Sequence, residues 1–439
     1  MESYIWIPSF NNTSFTLFVD GISVSIVIIT LVLAIAASLF SPRYFGEKHE
    51  KDAGFYTLLT ILTAGLVGVF ITTNFLFFYF NWELMLIPAY FIIGGWGYNK
   101  PYKTAFKFFV YTHTGAVFVL LGIGAIYLST GSLDFFAVAT LLPKVAPQFI
   151  SWIPWILIAF TGGFAVKMAI FPVHAWLPDA HSEAPAPMSA MLSGVIISAG
   201  AYAILRISLL TVFPAVQILD PAFSVQFLHG ICIFGIITAF FGSFVALVRN
   251  DIKKIIAYSS ISHMGYILFG LSLFSNSIAM TGTVLHIVTH AVSKGLFFLT
   301  AGAFMTQLEL RDTRVMGGMA GQMPTTATVS ATAALSIAGI PPLACFISEF
   351  LIFVGAFQVV AIDSFYLWPT ILMLIATIFS LAYVLRFIAR VLFGEPKATT
   401  TDKDVPFSMK FAMVLLAVLV VVIGIWPTFF IQLISTAFG

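Results

Sequence analysis

Long apolar stretches separated by short polar breaks run along almost the whole chain. Since about 20 apolar residues are needed to cross the hydrocarbon layer as a helix, each stretch predicts one span. The predicted spans are residues 16–40, 54–73, 74–96, 103–129, 150–177, 184–212, 222–249, 253–275, 277–306, 325–361, 365–393 and 405–435. The pattern predicts an all-α polytopic membrane protein with about 12 transmembrane helices.

Composition agrees with this prediction and excludes several other functions. The 439 residues are 60% hydrophobic and only 9% charged, which is far from the balance of a soluble domain. The segment before the first span carries no Lys or Arg, unlike a cleavable signal peptide. Cys232 and Cys345 show no C-x-x-C spacing, and no phosphate-binding glycine motif occurs, so we expect no metal and no bound cofactor in this chain. The net charge of +2 gives no reason to expect a nucleic-acid partner.

Positive charge is divided unevenly between alternate loops. One set of loops carries nearly all of it, and the opposite set offers only Lys144. The first set contains Arg43, Lys48, Lys51, Lys100, Lys103, Arg249, Lys253, Lys254, Arg311, Arg314, Lys397 and Lys403. By the positive-inside rule, we expect both termini on the outer face of a prokaryotic plasma membrane or an equivalent energy-transducing membrane.

Two predicted spans are longer than necessary and contain proline. Span 150–177 holds Pro172, and span 325–361 holds the pair at 341–342 just after Gly339. Proline removes a backbone donor and clashes with the preceding turn, so each helix should break inside the membrane. Broken backbone at that depth is tolerated only when it is buried in protein or lines a hydrated cavity.

The positions of these broken helices predict an internal repeat. They are the fifth and tenth spans, and each is the fourth member of a five-helix block. An odd number of spans makes the second block run opposite to the first, which predicts two inverted five-helix repeats, each with a discontinuous helix. We therefore expect an N-terminal segment with the first span at 1–53 and the first bundle at 54–212. The second, inverted bundle is expected at 222–393 and a C-terminal span at 394–439.

Several ionisable residues lie well inside predicted spans, and these are Glu83, Lys167, Lys294 and Glu349. A charge at the bilayer centre costs about 2.5–3.5 kcal/mol on insertion scales, so such a residue normally faces a partner or water. The presence of several such residues beside broken helices favours a path for protons. The alternative is a buried Glu83–Lys167 ion pair that only fixes helix packing. Arg206 and Lys107 lie near span ends, where their side chains can snorkel.

Histidines add further titratable groups. His286, His290 and Lys294 have i, i+4, i+8 spacing, which places them on one helical face at steps of about 6 Å. Four more histidines lie in or beside spans, namely His113, His174, His229 and His263. Each is as consistent with a hydrogen-bonded core residue as with a proton-relay group. Paired imidazoles on facing helices can also hold a haem, but Lys294 is a poor neighbour for an apolar porphyrin pocket.

Four separated motifs carry a family resemblance. They are "NWELMLIPAYFIIGGWG", "FAVKMAIFPVHAWLPDAHSEAP", "NDIKKIIAYSSISHMGY" and "GIPPLACFISEFLIFVGAFQVV". Together they resemble the antiporter-like membrane subunits of respiratory complex I and its relatives, with the greatest similarity to the chain 4, or chain M, type. The resemblance covers residues 16–435.

The resemblance implies a proton-translocating subunit in which each five-helix bundle forms a half-channel. Glu83 matches the acidic residue of the first bundle in this family, and Lys167 matches its partner lysine in the first broken helix. His263 and His290 match the hydrated central axis. Glu349 matches the acidic residue of the second broken helix, where chain L, chain N and the multisubunit sodium–proton antiporters look to have lysine.

The resemblance also implies partners and leaves two other functions open. The redox chemistry, with flavin and iron–sulfur clusters, is expected in partner subunits of a complex I-like quinone or related acceptor oxidoreductase. The partners expected for this chain are other membrane-arm subunits and the lipid bilayer. The alternatives are a subunit of a cation–proton antiporter and a membrane subunit of a hydrogenase-related complex.

Two features depart from the family pattern. The family commonly has a lysine eight residues before its arginine, whereas this sequence has Ser198 eight residues before Arg206. A serine relays a proton only through water, so we hypothesise that Lys294 or His263 carries more of the link between half-channels. The family usually has fourteen core helices, and we expect this sequence to lack the first two, as well as the lateral helix typical of chain L.

Overall fold

The computed structural model describes residues 2–7, 13–46, 52–145, 152–398 and 404–438. Seventeen helices account for most of these residues. Lys48, Lys51 and Lys403, which contribute to the predicted charge asymmetry, lie outside the described residues. The all-α fold class is confirmed, while the count of twelve crossings and the inverted repeat stay predictions.

The helices of the first half are α1 to α8, at Gly21–Phe45, Asp52–Ile71, Phe75–Trp96, Pro101–Thr130, Phe135–Val145, Ile153–Met168, Leu177–Glu183 and Ala186–Leu219. Those of the second half are α9 to α17, at Pro221–Val248, Ile252–Ser272, Ser277–Leu308, Met319–Gln322, Pro324–Ile337, Ala344–Val360, Leu367–Phe387, Phe407–Ile425 and Thr428–Ser435. Helix α15 continues as a π-helical segment, Ile388–Leu392. Ten helices in the described part are long and apolar enough to span a membrane.

The N-terminal region corrects the predicted start of the first span. Residues Glu2–Ile7 and Thr13–Leu17 form strands β1 and β2, which pair antiparallel, so the span cannot start at residue 16. Helix α1 starts at Gly21 because Asp20 accepts a hydrogen bond from the Ser23 N–H at 2.9 Å, and Ser23 Oγ accepts from the Asp20 N–H in return. This reciprocal capping box satisfies backbone donors at the buried start of the helix.

Both predicted helix breaks are confirmed. Helix α6 ends at Met168, where Ala169 adopts a left-handed backbone with φ of 58°. Helix α13 ends at Ile337, and Gly339 has φ of 67° before α14 begins at Ala344. The prolines follow within each interruption, where a missing backbone N–H removes no helical hydrogen bond.

Three helices form the centre of the molecule. All residues in the most apolar stretch of α11 are buried, as are 94% and 89% of those in the corresponding stretches of α10 and α8. In the other long apolar helices, only 39–50% of the residues in such a stretch are buried. Helix α8 contains two π-helical segments, Leu192–Ile196 and Ile204–Val212. The central helices hold 20 of the 45 buried polar or charged side chains of the described residues, including His263, His286 and Lys294, so much of the candidate site lies there.

Two further differences concern the limits of predicted elements. Helix α5, Phe135–Val145, occupies a stretch that the apolar pattern leaves as a loop, because at 11 residues it is too short for a span. The predicted last span 405–435 is divided between α16 and α17, with Pro427 between them. Neither difference affects the buried centre.

Candidate functional site

Lys167 lies in the last turn of α6, immediately before the first break, and is 1% exposed. Its ammonium lies 5.5 Å from the centre of the Trp82 ring and 5.8 Å from that of Phe108. Within the described part of the chain, its Nζ has no hydrogen-bond partner. Cation–π contacts with these two rings are therefore the interactions that stabilise the ammonium within the described part of the chain.

Glu83 of α3 does not form the direct ion pair with Lys167 that the packing alternative requires. Among the ion pairs of the described residues, its Oε2 lies 3.5 Å from Nδ1 of His113 on α4. The His113 side chain is 44% exposed, so this pair lies at the outer surface of the bundle. Glu83 directly follows Trp82, whose ring lies against the Lys167 ammonium, so the carboxylate lies on the helix that Lys167 contacts without pairing with it.

Three helices bring a second group of side chains together, which we call the histidine–glutamate cluster and define as His263, His286, Ser348 and Glu349. His263 Nδ1 lies 3.1 Å from His286 Nε2 and 3.9 Å from Glu349 Oε1. His286 Nδ1 lies 2.9 Å from Ser348 Oγ. These contacts join α10, α11 and α14 in the buried centre, and each imidazole can both donate and accept a proton.

The second break positions the carboxylate of this cluster. A Cβ added to Gly339 would lie 2.6 Å from Glu349 Oε2, closer than side-chain carbons approach. The same glycine has a positive φ, which a side chain disfavours. Gly339 therefore ends α13 and also leaves room for the Glu349 carboxylate.

Lys294 and His290 continue the row along α11. The Lys294 amino group is fully buried and donates to Ser259 Oγ on α10, with the Ile256 carbonyl oxygen 3.5 Å away. The His290 ring centre lies 5.6 Å from that of His263, and in the described part of the chain neither of its ring nitrogens has a hydrogen-bond partner. The predicted face of α11 is thus entirely buried and contacts the histidine–glutamate cluster.

The other intramembrane cations have partners. Arg206 Nη2 donates to Asp20 Oδ2 at 2.6 Å, and its Nε lies 3.3 Å from the Tyr202 hydroxyl. Lys107 donates to Asp179 Oδ2 on α7 at 2.7 Å. Arg206 is only 9% exposed, so its guanidinium is held by Asp20 within the protein.

Sequence reasoning missed His181 and several hydroxyl groups. His181 of α7 is fully buried, and both its ring nitrogens lack a partner among the described residues. Its place in the quoted motif "LPDAHSEAP" was the available signal. Ser259, Ser260 and Ser348 also lie in quoted motifs, but their residue type does not distinguish them, because serine is common in membrane helices as a packing residue.

His263, His286 and Glu349 also satisfy a geometric condition for a metal site, since one ligand atom from each lies within 4.8 Å of the others. Two imidazoles and a carboxylate suit Zn²⁺. Lys294, however, lies on the same buried face of α11 as His286, and when it is protonated its charge opposes a divalent cation. A haem between His263 and His286 does not fit, because these rings contact each other directly and leave no space for a porphyrin.

Fold and site together define a polytopic helical membrane protein with two interrupted helices beside a buried row of ionisable side chains. The chain belongs to the NADH:quinone oxidoreductase/Mrp antiporter transmembrane family, whose profile matches residues 72–380. It is therefore an integral membrane subunit of this family, and the resemblance identified from four motifs is confirmed.

Individual relatives agree with this assignment. NADH-quinone oxidoreductase subunit M of Escherichia coli K12 is 33% identical over 99% of this chain and 83% of its own length. F(420)H(2) dehydrogenase subunit M of Methanosarcina mazei is 30% identical over 97% of this chain and 83% of its own. The similarity to the chain M type is thus also confirmed.

Solved structures share the fold. A chain of the membrane-bound sulfane sulfur reductase, an archaeal respiratory membrane complex, matches with a TM-score of 0.84 at 26% identity, over 96% of this chain and 82% of that one. A chain of respiratory complex I from Thermus thermophilus with bound NADH matches with a TM-score of 0.85, over 100% of this chain and 88% of that one. At 22% identity, the second match shows the fold alone.

Proposed function

We propose that this chain is a proton-translocating membrane-arm subunit of a complex I-like oxidoreductase that reduces a quinone or a related acceptor. Electron transfer elsewhere in the complex drives the protons. The observation that carries the proposal is that buried titratable groups lie beside both helix breaks, Lys167 at the first and Glu349 with the histidine–glutamate cluster at the second. Such groups are costly inside a membrane, and in transporters they mark ion pathways.

In the first bundle, Lys167 takes up and releases the proton, and Glu83 controls this exchange. Glu83 faces His113 in the structure and directly follows Trp82, whose ring contacts the Lys167 ammonium. Movement of the carboxylate toward Lys167 stabilises the protonated amine, and its return to His113 leaves the ammonium with aromatic neighbours only. The position of Glu83 thus controls proton release.

In the second bundle, the proton passes from Lys294 and His290 to the histidine–glutamate cluster. Contact between His263 and His286 at 3.1 Å permits direct transfer between imidazoles. Glu349 then releases the proton, because its side chain is the 9% exposed member of an otherwise closed set. Bundles 54–212 and 222–393 are the two half-channels of this scheme.

Partners complete the scheme. Flavin and iron–sulfur clusters belong to other subunits, and this chain supplies no ligand for them. The exposed His113 beside Glu83 suits a contact with a neighbouring membrane-arm subunit, through which rearranged ion pairs transmit the coupling. The loop charges support an orientation with both termini on the outer face.

Replacement of Lys167 tests the proposal. Inside-out vesicles carrying the complete complex are supplied with NADH or reduced F420, whichever the native membranes oxidise, and proton uptake is recorded with electron transfer. We expect Lys167→Ala to abolish proton uptake and leave electron transfer partly active, whereas exposed Lys144→Ala retains both. Unchanged uptake in Lys167→Ala refutes the proposal.

The same vesicles separate the two alternative functions. A sodium pulse without electron donor that changes the internal pH identifies a cation–proton antiporter. Electron transfer without proton uptake in the wild-type complex identifies a membrane anchor that no longer conducts protons.

A further inference from the structure

Two buried serine hydroxyls connect the first half of the chain with the second. Ser193 of α8 and Ser260 of α10 place their Oγ atoms 2.8 Å apart, and both residues are 0% exposed. Ser193 belongs to the π-helical segment Leu192–Ile196. Segments of this kind are rare and occur frequently at functional sites, because they alter the direction of side chains within a helix.

The hydrogen bonds around this pair permit a direction from Ser193 to Ser260. Either hydroxyl can be the donor within the pair. When Ser260 Oγ donates its single proton to the Ile256 carbonyl oxygen, 3.0 Å away, Ser193 is the donor to Ser260. The oxygen of Ser193 is then left as an acceptor. The hydrogen bond between the two hydroxyls therefore joins α8 in the first half of the chain to α10 in the second half.

The same carbonyl oxygen links the pair to Lys294. The Ile256 oxygen accepts from Ser259 Oγ at 2.8 Å and has the Lys294 Nζ at 3.5 Å. Lys294 Nζ also donates to Ser259 Oγ. Ser260 and Lys294 thus share one acceptor, which places the serine pair next to the first titratable group of the second half.

Ser198 makes no such connection. Its Oγ donates to the Gly194 carbonyl oxygen of its own helix at 2.7 Å, which occupies its proton within α8. Gly194 itself packs against α11, since a Cβ built on it would lie 3.1 Å from the Ala291 carbonyl oxygen. Helix α8 therefore meets α11 between His290 and Lys294, at the level of Ser193.

We propose that Ser193 and Ser260 form the crossing point for protons between the two half-channels. This inference rests on the proposed function. A proton arriving from the first half binds Ser193 Oγ while the Ser193 hydroxyl proton moves to Ser260 Oγ. The former Ser260 proton passes to a water molecule, which delivers a proton to the neutral amine of Lys294. Each serine ends neutral with one proton, Lys294 becomes an ammonium, and rotation of both hydroxyls restores the starting arrangement.

The test compares variants of the complete complex in inside-out vesicles, with proton uptake per electron transferred as the readout. Ser193→Ala removes the hydroxyl, while Ser193→Thr keeps it. We expect Ser193→Ala to lose about tenfold or more in proton uptake, as for removal of a positioned proton-transfer group, and Ser193→Thr to stay within about twofold of the wild type.

Ser243→Ala is the matched control. Ser243 and Ser262 form another buried serine pair, with Oγ atoms 3.2 Å apart, but it joins α9 to α10 within the second half. We expect Ser243→Ala to retain proton uptake. If Ser193→Ala does not assemble into the complex, Ser260→Ala removes the other member of the pair and provides the same test.

The outcomes separate the crossing from the proposed function. Wild-type uptake in Ser193→Ala, together with its loss in Lys167→Ala, overturns the crossing and leaves the function intact. Equal loss in Ser193→Thr and Ser193→Ala also overturns it, because the hydroxyl would then be irrelevant. Wild-type uptake in Lys167→Ala refutes the proposed function itself.

Discussion

The surroundings of Lys167 and those of Glu349 differ in a way that indicates two kinds of proton site. Lys167 lies against the Trp82 and Phe108 rings, without a hydrogen-bond partner among the described residues. Glu349 instead lies 3.9 Å from His263, which contacts His286 in turn. The first site holds one isolated charge, and the second belongs to a connected network.

This difference indicates different roles in transfer. An isolated cation in an apolar environment is sensitive to a single nearby charge, so Lys167 suits control by Glu83. A network of imidazoles and a carboxylate distributes a proton over several groups, so it suits conduction. We therefore expect a single substitution at Lys167 to abolish proton uptake, whereas substitutions in the histidine–glutamate cluster should reduce proton uptake to different extents.

The largest effect within the cluster is expected for Glu349→Gln. The amide keeps the shape of the side chain but cannot take up a proton, so proton uptake should fall by at least about tenfold while the complex still assembles. Exposed Glu309→Gln at the end of α11 should retain uptake. Full uptake in Glu349→Gln would exclude the carboxylate from the path.

Gly339→Ala should have the next largest effect. The added Cβ would lie 2.6 Å from Glu349 Oε2 and must displace it, in addition to about 1–2 kcal/mol for the positive φ. Gly131 has the same φ of 67°, but no heavy atom of the described residues lies within 4 Å of its added Cβ. Gly131→Ala should therefore lower only the thermal stability, whereas Gly339→Ala should also lower proton uptake. Equal effects of the two variants would contradict this role for Gly339.

Trp82→Leu probes the isolated site. A desolvated cation–π contact contributes about 2 kcal/mol, so its loss should disfavour the protonated amine of Lys167 and reduce proton uptake several-fold. Trp155 on the same helix as Lys167 is 69% exposed, and Trp155→Leu should leave uptake unchanged. A similar loss in both variants would point to general damage to α6 packing.

The smallest effect is expected for Ser348→Ala. Its hydroxyl lies 2.9 Å from both His286 Nδ1 and Thr289 Oγ1, and loss of such bonds usually costs about 1 kcal/mol each. Because His286 still contacts His263, uptake should fall by less than about threefold. A loss as large as that in Glu349→Gln would show that the network does not distribute the proton as described.

The sequence predicted the features that depend on local chemistry. Proline and glycine end helices for reasons visible in a single stretch, so the breaks beside Lys167 and Glu349 could be placed without a structure. The face of α11 followed from i, i+4, i+8 spacing. The start of α1 was also visible in principle, because Asp20 and Ser23 form a recognisable cap.

Contacts between distant helices could not be predicted in this way. His263, His286 and Glu349 lie on three helices, and only their packing brings the ligand atoms together. The pairing of Glu83 with His113 rather than Lys167 depends on the side-chain conformation within the bundle. Ser193 and Ser260 are 67 positions apart, and nothing local distinguishes them from packing serines.

The central claim is that Lys167 and Glu349 serve one proton path, and a double-mutant comparison tests it most directly. Because Lys167→Ala should abolish uptake, proton uptake per electron is measured for Trp82→Leu beside Lys167, which should leave residual uptake, for Glu349→Gln and for the double variant in the same vesicles. On one path, the double variant should lose no more than the more severe single variant, because a blocked path cannot be blocked twice. Losses that multiply in the double variant would show two independent routes and contradict the claim.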